Sequence, residues 1–359
     1  MPVSAKKIRL ADDYSEGAHP RILSAIVEAN QSQELPYGND TIAHAARREI
    51  CRHLGTHDVD IQYVPSGTSA NAICIAACLR PHEAVVAAKT AHIVVRETGA
   101  IEAKGHKIIT VDTSPLTGKL TPELILGALA ENWHYPHMAK PRMVYISQAT
   151  EMGTVYSKSE LEALKQCCVD NGLLLFLDGA RLPAALASPM CQFTLADILR
   201  ITDLFWIGGT KNGLLFGEAI VVKDPVLAAD FKFFVKQSGC LLAKSWIMSV
   251  QFAALFGPGD LSAELARHAN SMATLLAEGL AQMMGCSVVE PETNQVFATL
   301  PSHTVLLLQR RFDFYIWSKP SNDRWTVRLM TSWATSKANI QSFLAHIQLE
   351  LQRHGQAGK

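Results

Sequence analysis

The fold is indicated most clearly by residues 173–181, which read LLLFLDGAR. Five consecutive apolar residues without polar alternation are typical of a strand that is buried on both faces of a parallel sheet. This strand ends in Asp178, and open parallel sheets bind their ligands at the carboxyl ends of the strands. We therefore predict that Asp178 lies at the bottom of a ligand cleft. The alternative is a turn aspartate that pairs only with Arg181.

Short apolar segments of the same kind alternate with helical patterns through the first two thirds of the chain. The predicted strands are 60–64, 84–88, 107–111, 143–147, 173–177, 204–207 and 219–222. The predicted helices are 20–30, 41–54, 69–79, 94–103, 121–130 and 157–171. Strands separated by helices predict a mostly parallel sheet that is covered by helices on both faces.

The pattern changes after Pro225, where long helices extend to about Met284 with a break at 257–259. Later strands are predicted near 288 and at 296–300, 312–317 and 325–330, and a last helix at 337–351. We therefore predict an α/β fold, with a large domain and a smaller C-terminal α+β domain. The expected divisions are an N-terminal segment (1–35), the large domain (36–258) and the small domain (259–359).

Composition and charge narrow the classes of partner. The 359 residues include 33 Lys and Arg and 33 Asp and Glu, so the formal net charge of zero gives no global field for nucleic acid or a membrane. No apolar stretch reaches the roughly 18 residues of a membrane span, and the N-terminus lacks the apolar part of a secretory signal. The eight cysteines lack a zinc-ligand spacing and are typical of reduced thiols in a cytoplasmic protein. We predict no metal site, including at the close pair His134 and His137.

A second apolar strand, 204–207, is followed by the glycine-rich stretch GGTKNG at 208–213. Glycines let a backbone approach a ligand closely. Lys211 would then project into the same cleft as Asp178. Taken alone, a lysine in such a turn is more often simply solvated.

Two further positions follow predicted strands. Residues 66–68 open a helix whose unpaired amide groups suit a phosphate, although an ordinary helix cap has the same composition. His92 would cover the face of an aromatic ligand or, as the alternative, be a partly buried and hydrogen-bonded histidine. With Lys211 for a Schiff base and Asp178 for a pyridinium nitrogen, these features together specify pyridoxal phosphate.

Six motifs spread over nearly the whole chain carry a further signal. They are YGNDT at 37–41, PSGTSAN at 65–71, AH at 91–92, LDGARL at 177–182, TK at 210–211 and VRLMT at 327–331. Through these motifs the chain resembles the fold-type I pyridoxal phosphate enzymes and, within them, the threonine aldolase or β-eliminating lyase family. The specific part is the Asp-Gly-Ala-Arg stretch and its distance to the lysine.

The resemblance implies a role for each matching position. Lys211 would carry the cofactor as a Schiff base, Asp178 would bind its pyridine nitrogen, and His92 would stack on its ring. The implied phosphate contacts are Ser66, Gly67, Thr68 and Lys236, and the implied contacts to the substrate carboxylate are Arg181 and Arg328. Arg181 is also a predicted cofactor contact. Active sites of this family lie at a subunit interface. That implies a homodimer or homotetramer in which Tyr37 faces a neighbouring subunit's cofactor.

The chain also departs from the family pattern. Glu151, in QATEMG at 148–153, stands where the family often has a second active-site histidine. Ser15 is our candidate for the substrate-contacting hydroxyl, in a stretch that replaces the family's N-terminal motif. Asn212 follows the lysine where many relatives have glycine. The cofactor is therefore better supported than the substrate.

We predict a lyase that cleaves a β-hydroxy-α-amino acid, such as L-threonine or L-allo-threonine, to glycine and an aldehyde. One alternative is a β-eliminating lyase or another enzyme of the same fold, such as an aminotransferase. The other is a non-catalytic, oligomeric binding protein, against which the presence of both Lys211 and Asp178 argues. The proton of the β-hydroxyl would be taken by Glu151 or by His92, and the sequence leaves both open, as it does the preferred substrate.

Overall fold

The computed structural model describes residues 7–357, with side chains up to residue 351. The chain divides into two compact units. One is formed by residues 17–263, and the other by the residues up to Glu16 together with those from Glu264 onward. We refer to them as the larger and the smaller unit.

The bounds of the regular elements within the described chain are as follows. The strands are β1 (Ile8–Arg9), β2 (Asp60–Val64), β3 (Glu83–Ala88), β4 (Lys107–Val111), β5 (Lys140–Ser147), β6 (Leu174–Asp178), β7 (Leu204–Gly208), β8 (Glu218–Val222), β9 (Ser287–Val289), β10 (Gln295–Pro301), β11 (Phe312–Asp313), β12 (Tyr315–Ser318) and β13 (Arg324–Met330). The α-helices are α1 (Pro20–Ala29), α2 (Thr41–Leu54), α3 (Gly67–Cys78), α4 (His92–Val95), α5 (Pro122–Glu131), α6 (Lys158–Asp170), α7 (Leu182–Leu186), α8 (Leu195–Ile201), α9 (Pro225–Ala228), α10 (Phe231–Gln237), α11 (Trp246–Phe256), α12 (Leu261–Ala281), α13 (Ser302–Leu308) and α14 (Lys337–Ala357).

The larger unit is built on a sheet that has, within residues 7–357, seven strands in the order β2-β8-β7-β6-β5-β3-β4. The neighbours from β7 to β4 pair in parallel, and β8 is antiparallel to both β7 and β2. Every residue of β3, β7 and β8 is buried, as a sheet covered on both faces requires. The predicted mostly parallel sheet is confirmed.

This topology brings several strand ends to one edge of the sheet. The carboxyl ends of β5 and β6 are neighbours because Ser147 pairs with Asp178. Since β8 runs antiparallel to β7, its first residue, Glu218, pairs with the last residue of β7, Gly208. The polar residues at these ends therefore share one edge, where open parallel sheets bind their ligands.

One predicted helix, 94–103, is wrong. The chain forms only the short α4 there, followed by turns and a 3-10 helix at Glu102–Lys104. Thr98 and Gly99 have φ angles of +52° and +73°, in the left-handed region, which a continuous right-handed helix cannot contain. The helical stretch predicted from 225 to 284 is likewise interrupted, because it is divided among α9, α10, α11 and α12.

The smaller unit contains an antiparallel sheet in the order β12-β13-β10-β9, and a separate parallel pair of β1 and β11. The strand predicted at 312–317 is therefore two strands in two sheets. The core of the smaller unit joins Leu10 to apolar residues near the C-terminus, including Phe312 and Phe343. The predicted α+β character of the C-terminal residues is confirmed.

Candidate active site

Asp178 lies at the carboxyl end of β6 and is only 3% exposed. Its Oδ2 accepts hydrogen bonds from the Tyr145 hydroxyl at 2.6 Å and from Asn71 Nδ2 at 2.9 Å. Its Oδ1 accepts from the Ala180 amide at 2.9 Å. Burial, and to a lesser degree the negative charge of the neighbouring Asp178, raises the pKa of Tyr145 well above its ordinary value. This phenol therefore remains a donor. The three donors hold the carboxylate in one orientation.

A chain of hydrogen bonds continues from Asp178 to His92. Trp206 Nε1 donates to Asn71 Oδ1 at 2.9 Å, and because an indole nitrogen only donates, this contact fixes which way the amide points. Asn71 Nδ2 therefore faces both Asp178 and Glu97, the latter at 2.8 Å. The same Glu97 oxygen lies 2.7 Å from His92 Nδ1. His92 and Asp178 thus belong to one hydrogen-bond network.

Glu151 lies beside His92 through a different contact. Its Oε1 accepts from the His92 backbone amide at 2.9 Å and from the Ser147 hydroxyl at 2.8 Å. Burial raises the pKa of Glu151, an effect that the hydrogen bond from Ser147 opposes and the charge of Asp178 reinforces. The carboxyl therefore binds a proton more readily than a solvated glutamate does.

Lys211 lies in a tight turn between β7 and β8. The turn is held by Glu218, which is 4% exposed and accepts from the Gly209 amide at 2.8 Å and from the Thr210 hydroxyl at 2.7 Å. Burial raises the pKa of Glu218 to about 7, although these hydrogen bonds and the charge of Lys211 act in the opposite direction. Both residues that precede the lysine are thus fixed by one buried carboxylate.

The amino end of α3 has the features of an anion site. Ser66 caps the helix by accepting from the Ser69 amide at 3.2 Å, and the Ser66 amide in turn donates to the Ser69 hydroxyl oxygen at 3.3 Å. The helix begins at Gly67, two residues earlier than predicted, so Gly67 and Thr68 belong to its first turn. Amide groups of a first turn have no preceding helical carbonyl to bind. A Cβ on Gly67 would lie 2.8 Å from the Trp206 ring, so this end of α3 packs closely over the network around Asn71.

The remaining predicted residues fall in separate places. Lys236 Nζ lies 4.4 Å from the centre of the Tyr37 ring, and both residues are exposed in the larger unit. Arg181 is half-buried and directly precedes α7. Ser15 and Arg328 belong to the smaller unit, where Ser15 is exposed and the Arg328 guanidinium lies 5.2 Å from the centre of the Trp317 ring.

Sequence reasoning missed several residues of this site: Tyr145, Ser147, Glu97, Trp206 and Glu218. Tyr145 and Ser147 had a usable signal, because they alternate at the end of β5, next to the strand that carries Asp178. Glu97 had none, since it follows α4 in a segment whose pattern predicts a helix.

No helix within residues 7–357 is long and apolar enough to cross a membrane. Among the described residues, no three His, Cys, Asp or Glu side chains gather as a metal-binding group.

The family profile of the β-eliminating lyases matches residues 10–302 of the chain. The chain belongs to the β-eliminating lyase family. It is also 34% identical over 345 residues to a low-specificity L-threonine aldolase of Pseudomonas aeruginosa, a match that covers 94% of this chain and 96% of the relative. A solved threonine aldolase of Leishmania major is 40% identical, with a TM-score of 0.92 over 96% of this chain and 99% of that one.

A more distant structure shows the fold alone. An aspartate aminotransferase of Thermus thermophilus superposes with a TM-score of 0.71 at 18% identity, over 96% of this chain and 91% of that chain. The fold is therefore that of the fold-type I pyridoxal phosphate enzymes, and this member of the β-eliminating lyase family is a pyridoxal phosphate-dependent lyase. Its residues fit the cofactor, because one sheet edge combines a buried carboxylate, a lysine in a fixed turn and a half-exposed imidazole, with a helix amino end packed nearby.

Proposed function

We propose that the chain cleaves β-hydroxy-α-amino acids, L-threonine or L-allo-threonine, between Cα and Cβ to give glycine and an aldehyde. The observation that carries the proposal is the pairing of a buried, triply hydrogen-bonded Asp178 with a carboxylate-held turn at Lys211, on the adjacent strands β6 and β7. The names of the relatives from P. aeruginosa and L. major support the substrate class.

We propose the following roles for the residues of the site. When bound, pyridoxal phosphate supplies the electron sink for the pair released from the broken Cα–Cβ bond. Asp178 would hold the proton on the ring nitrogen, Lys211 would hold the cofactor covalently, and His92 would cover its ring. The residues proposed for the phosphate are Ser66, Gly67, Thr68 and Lys236, and those proposed for the substrate are Ser15, Tyr37, Arg181 and Arg328.

Glu151 is the proposed acceptor of the β-hydroxyl proton. Cleavage requires that this proton leaves as the Cα–Cβ bond breaks. A carboxylate whose pKa is raised by burial is a better base near neutral pH than a solvated one, and Glu151 has that environment next to His92. His92 is the competing candidate, because its half-exposed ring lies at the same place.

A substrate panel tests the function. We expect the holoenzyme to release glycine and the matching aldehyde from several β-hydroxy amino acids, as coupled aldehyde reduction would measure. Ammonia with a keto acid would instead identify a β-eliminating enzyme. A protein whose absorption does not respond to added glycine would be a non-catalytic binding protein. As a control, borohydride should attach the cofactor to the peptide that contains Lys211, and attachment to another lysine would contradict that assignment.

We also propose a cytoplasmic homodimer or homotetramer whose active sites combine residues of two subunits. The exposed pair of Tyr37 and Lys236 supports this, because an aromatic ring and a cation held together at the surface suit a shared site. Mixing two inactive variants, Lys211→Ala and Tyr37→Ala, should restore activity through hybrid assemblies. Mixtures that assemble but remain inactive would contradict a shared site.

A further inference from the structure

Glu97 is a buried carboxylate of the site, and the proposed reaction gives it no role. Its side chain has no solvent exposure. Its Oε1 accepts a hydrogen bond from Asn71 Nδ2 at 2.8 Å and lies 2.7 Å from His92 Nδ1. Within the described residues, its Oε2 has no hydrogen-bond partner. A carboxylate that is buried with one unpartnered oxygen is costly, so its contacts to Asn71 and His92 call for an explanation.

The protonation of these contacts follows from the donors around them. The indole of Trp206 can only donate, which makes the Asn71 atom that faces Glu97 a nitrogen and hence a donor. An ionised carboxylate can only accept, so the proton between Glu97 and His92 belongs to His92 Nδ1. In the neutral ring, the other nitrogen, Nε2, is then the one with the lone pair.

We propose that Glu97 is a positioning residue that fixes the tautomer and the ring plane of His92. The His92 backbone amide is held separately by Glu151, so two carboxylates hold this histidine at two points. Because Asn71 donates to both Glu97 and Asp178, the same network sets the imidazole relative to the Asp178 carboxylate. The use of His92 in catalysis rests on the proposed function, whereas its tautomer does not.

Two substitutions separate the hydrogen bonds of Glu97 from its charge. In Glu97→Gln, the Asn71 donor requires the amide oxygen at the Oε1 position, since the amide nitrogen there would oppose another donor. That oxygen can accept from both Asn71 and His92, so the tautomer of His92 is retained. Glu97→Leu removes the acceptor, and the neutral ring then shifts its proton toward Nε2.

Nitrogen-15 NMR of histidine-labelled protein measures the tautomer directly, in the cofactor-free protein and in the holoenzyme, at a pH at which the ring is neutral. The His92 signal is identified by its absence in His92→Phe. We expect a proton on Nδ1 in the wild type and in Glu97→Gln, and a proton mainly on Nε2 in Glu97→Leu. In the holoenzyme, Glu97→Leu should also shift the absorption band of the cofactor and lower kcat about tenfold or more, the scale of losing an orienting partner.

A wild-type His92 with its proton on Nε2 alone would overturn the inference without any variant. An unchanged tautomer in a folded Glu97→Leu protein would do the same. If the NMR result is as expected and no aldehyde forms from any substrate, the proposed function fails and the inference about Glu97 stands.

Discussion

Two carboxylates with different surroundings lie at the carboxyl edge of the central sheet. Asp178 accepts three hydrogen bonds spread over both oxygens, whereas Glu151 accepts two at a single oxygen, one of them from a backbone amide. Active sites place two groups of the same chemical type in different environments, so that one group holds a charge and the other transfers a proton. This difference supports the proposed roles of Asp178 with the cofactor and of Glu151 with the substrate.

The first prediction concerns Glu151. Glu151→Gln should lower kcat for threonine by about 10²-fold or more, the usual scale for a lost general base, because an amide cannot accept the proton. It should still give the spectral response to glycine, since its hydrogen bonds from Ser147 and His92 can be accepted by an amide oxygen. The matched variant is His92→Phe, which keeps a flat ring. If Glu151→Gln cleaves threonine normally while His92→Phe binds glycine but is inert, the base is His92.

The second prediction concerns Asp178. Asp178→Asn should keep the fold and bind some cofactor. Its kcat should fall about 10²-fold or more, because a neutral amide cannot hold the proton on the ring nitrogen. Its amide oxygen would accept from Asn71 and Tyr145, which leaves its amide nitrogen opposite the Ala180 amide donor. The control is Tyr145→Phe, which removes one donor and leaves the carboxylate, and should cost much less. A kcat within about threefold of wild type, well under 1 kcal/mol, would mean that Asp178 has another role.

At the scale of elements, the turn between β7 and β8 is held by a side chain from outside the turn. Glu218 begins β8, and its carboxylate binds the two residues before Lys211. The antiparallel direction of β8 is what makes this possible, because only then does the start of one strand meet the end of the other.

The third prediction follows from the pKa of Glu218, which burial raises from 4.5 to about 7. The folded protein therefore holds a proton that the unfolded chain has released, and the free energy of unfolding falls as the pH rises from about 4.5 to about 7. The full effect is on the order of 3 kcal/mol. Glu218→Gln has no such titration. The difference in Tm, wild type minus Glu218→Gln, should therefore fall as the pH rises from about 5 to about 8. A difference that stays constant with pH would contradict this.

At the scale of the whole molecule, the chain returns to its beginning to complete the smaller unit. β1 pairs in parallel with β11, and Leu10 donates its amide to the Asp313 carbonyl at 2.7 Å. The Leu10 side chain has no solvent exposure and packs in the same core as Phe312 and Phe343. Residues 8–10 are therefore structural in this unit.

The fourth prediction tests that role. Leu10→Ala should lower the free energy of unfolding by about 3 kcal/mol, because the substitution leaves a cavity among large apolar side chains. The control is Arg9→Ala, whose half-exposed guanidinium forms ion pairs of 3.5 Å with the buried Asp12 and 3.4 Å with the partly exposed Asp313 and should cost about 1 kcal/mol. Urea unfolding of the full chain, followed by circular dichroism, measures both. Equal costs for the two variants would contradict the core role of Leu10.

The sequence by itself determined the features that are encoded within a few neighbouring residues. An apolar run followed by Asp178 specified a buried strand with a polar end, and the stretch 66–68 indicated a helix start that was placed two residues too late, because burial and capping depend on local pattern. The same local reading failed at 94–103, where the left-handed backbone of Thr98 ends the helical pattern. The alternation of strands and helices was enough to predict a mostly parallel sheet.

Only the tertiary structure decided which strand and helix ends lie together, and so which polar residues meet. In the sequence, Asn71 lies 107 residues and Tyr145 lies 33 residues from Asp178, yet both donate to the same oxygen of its carboxylate. Their contact depends on the order in which the strands lie side by side, and hydrophobic periodicity carries no information about that order. Glu97 became visible for the same reason, because its only signal is the set of donors that the folded chain gathers around it.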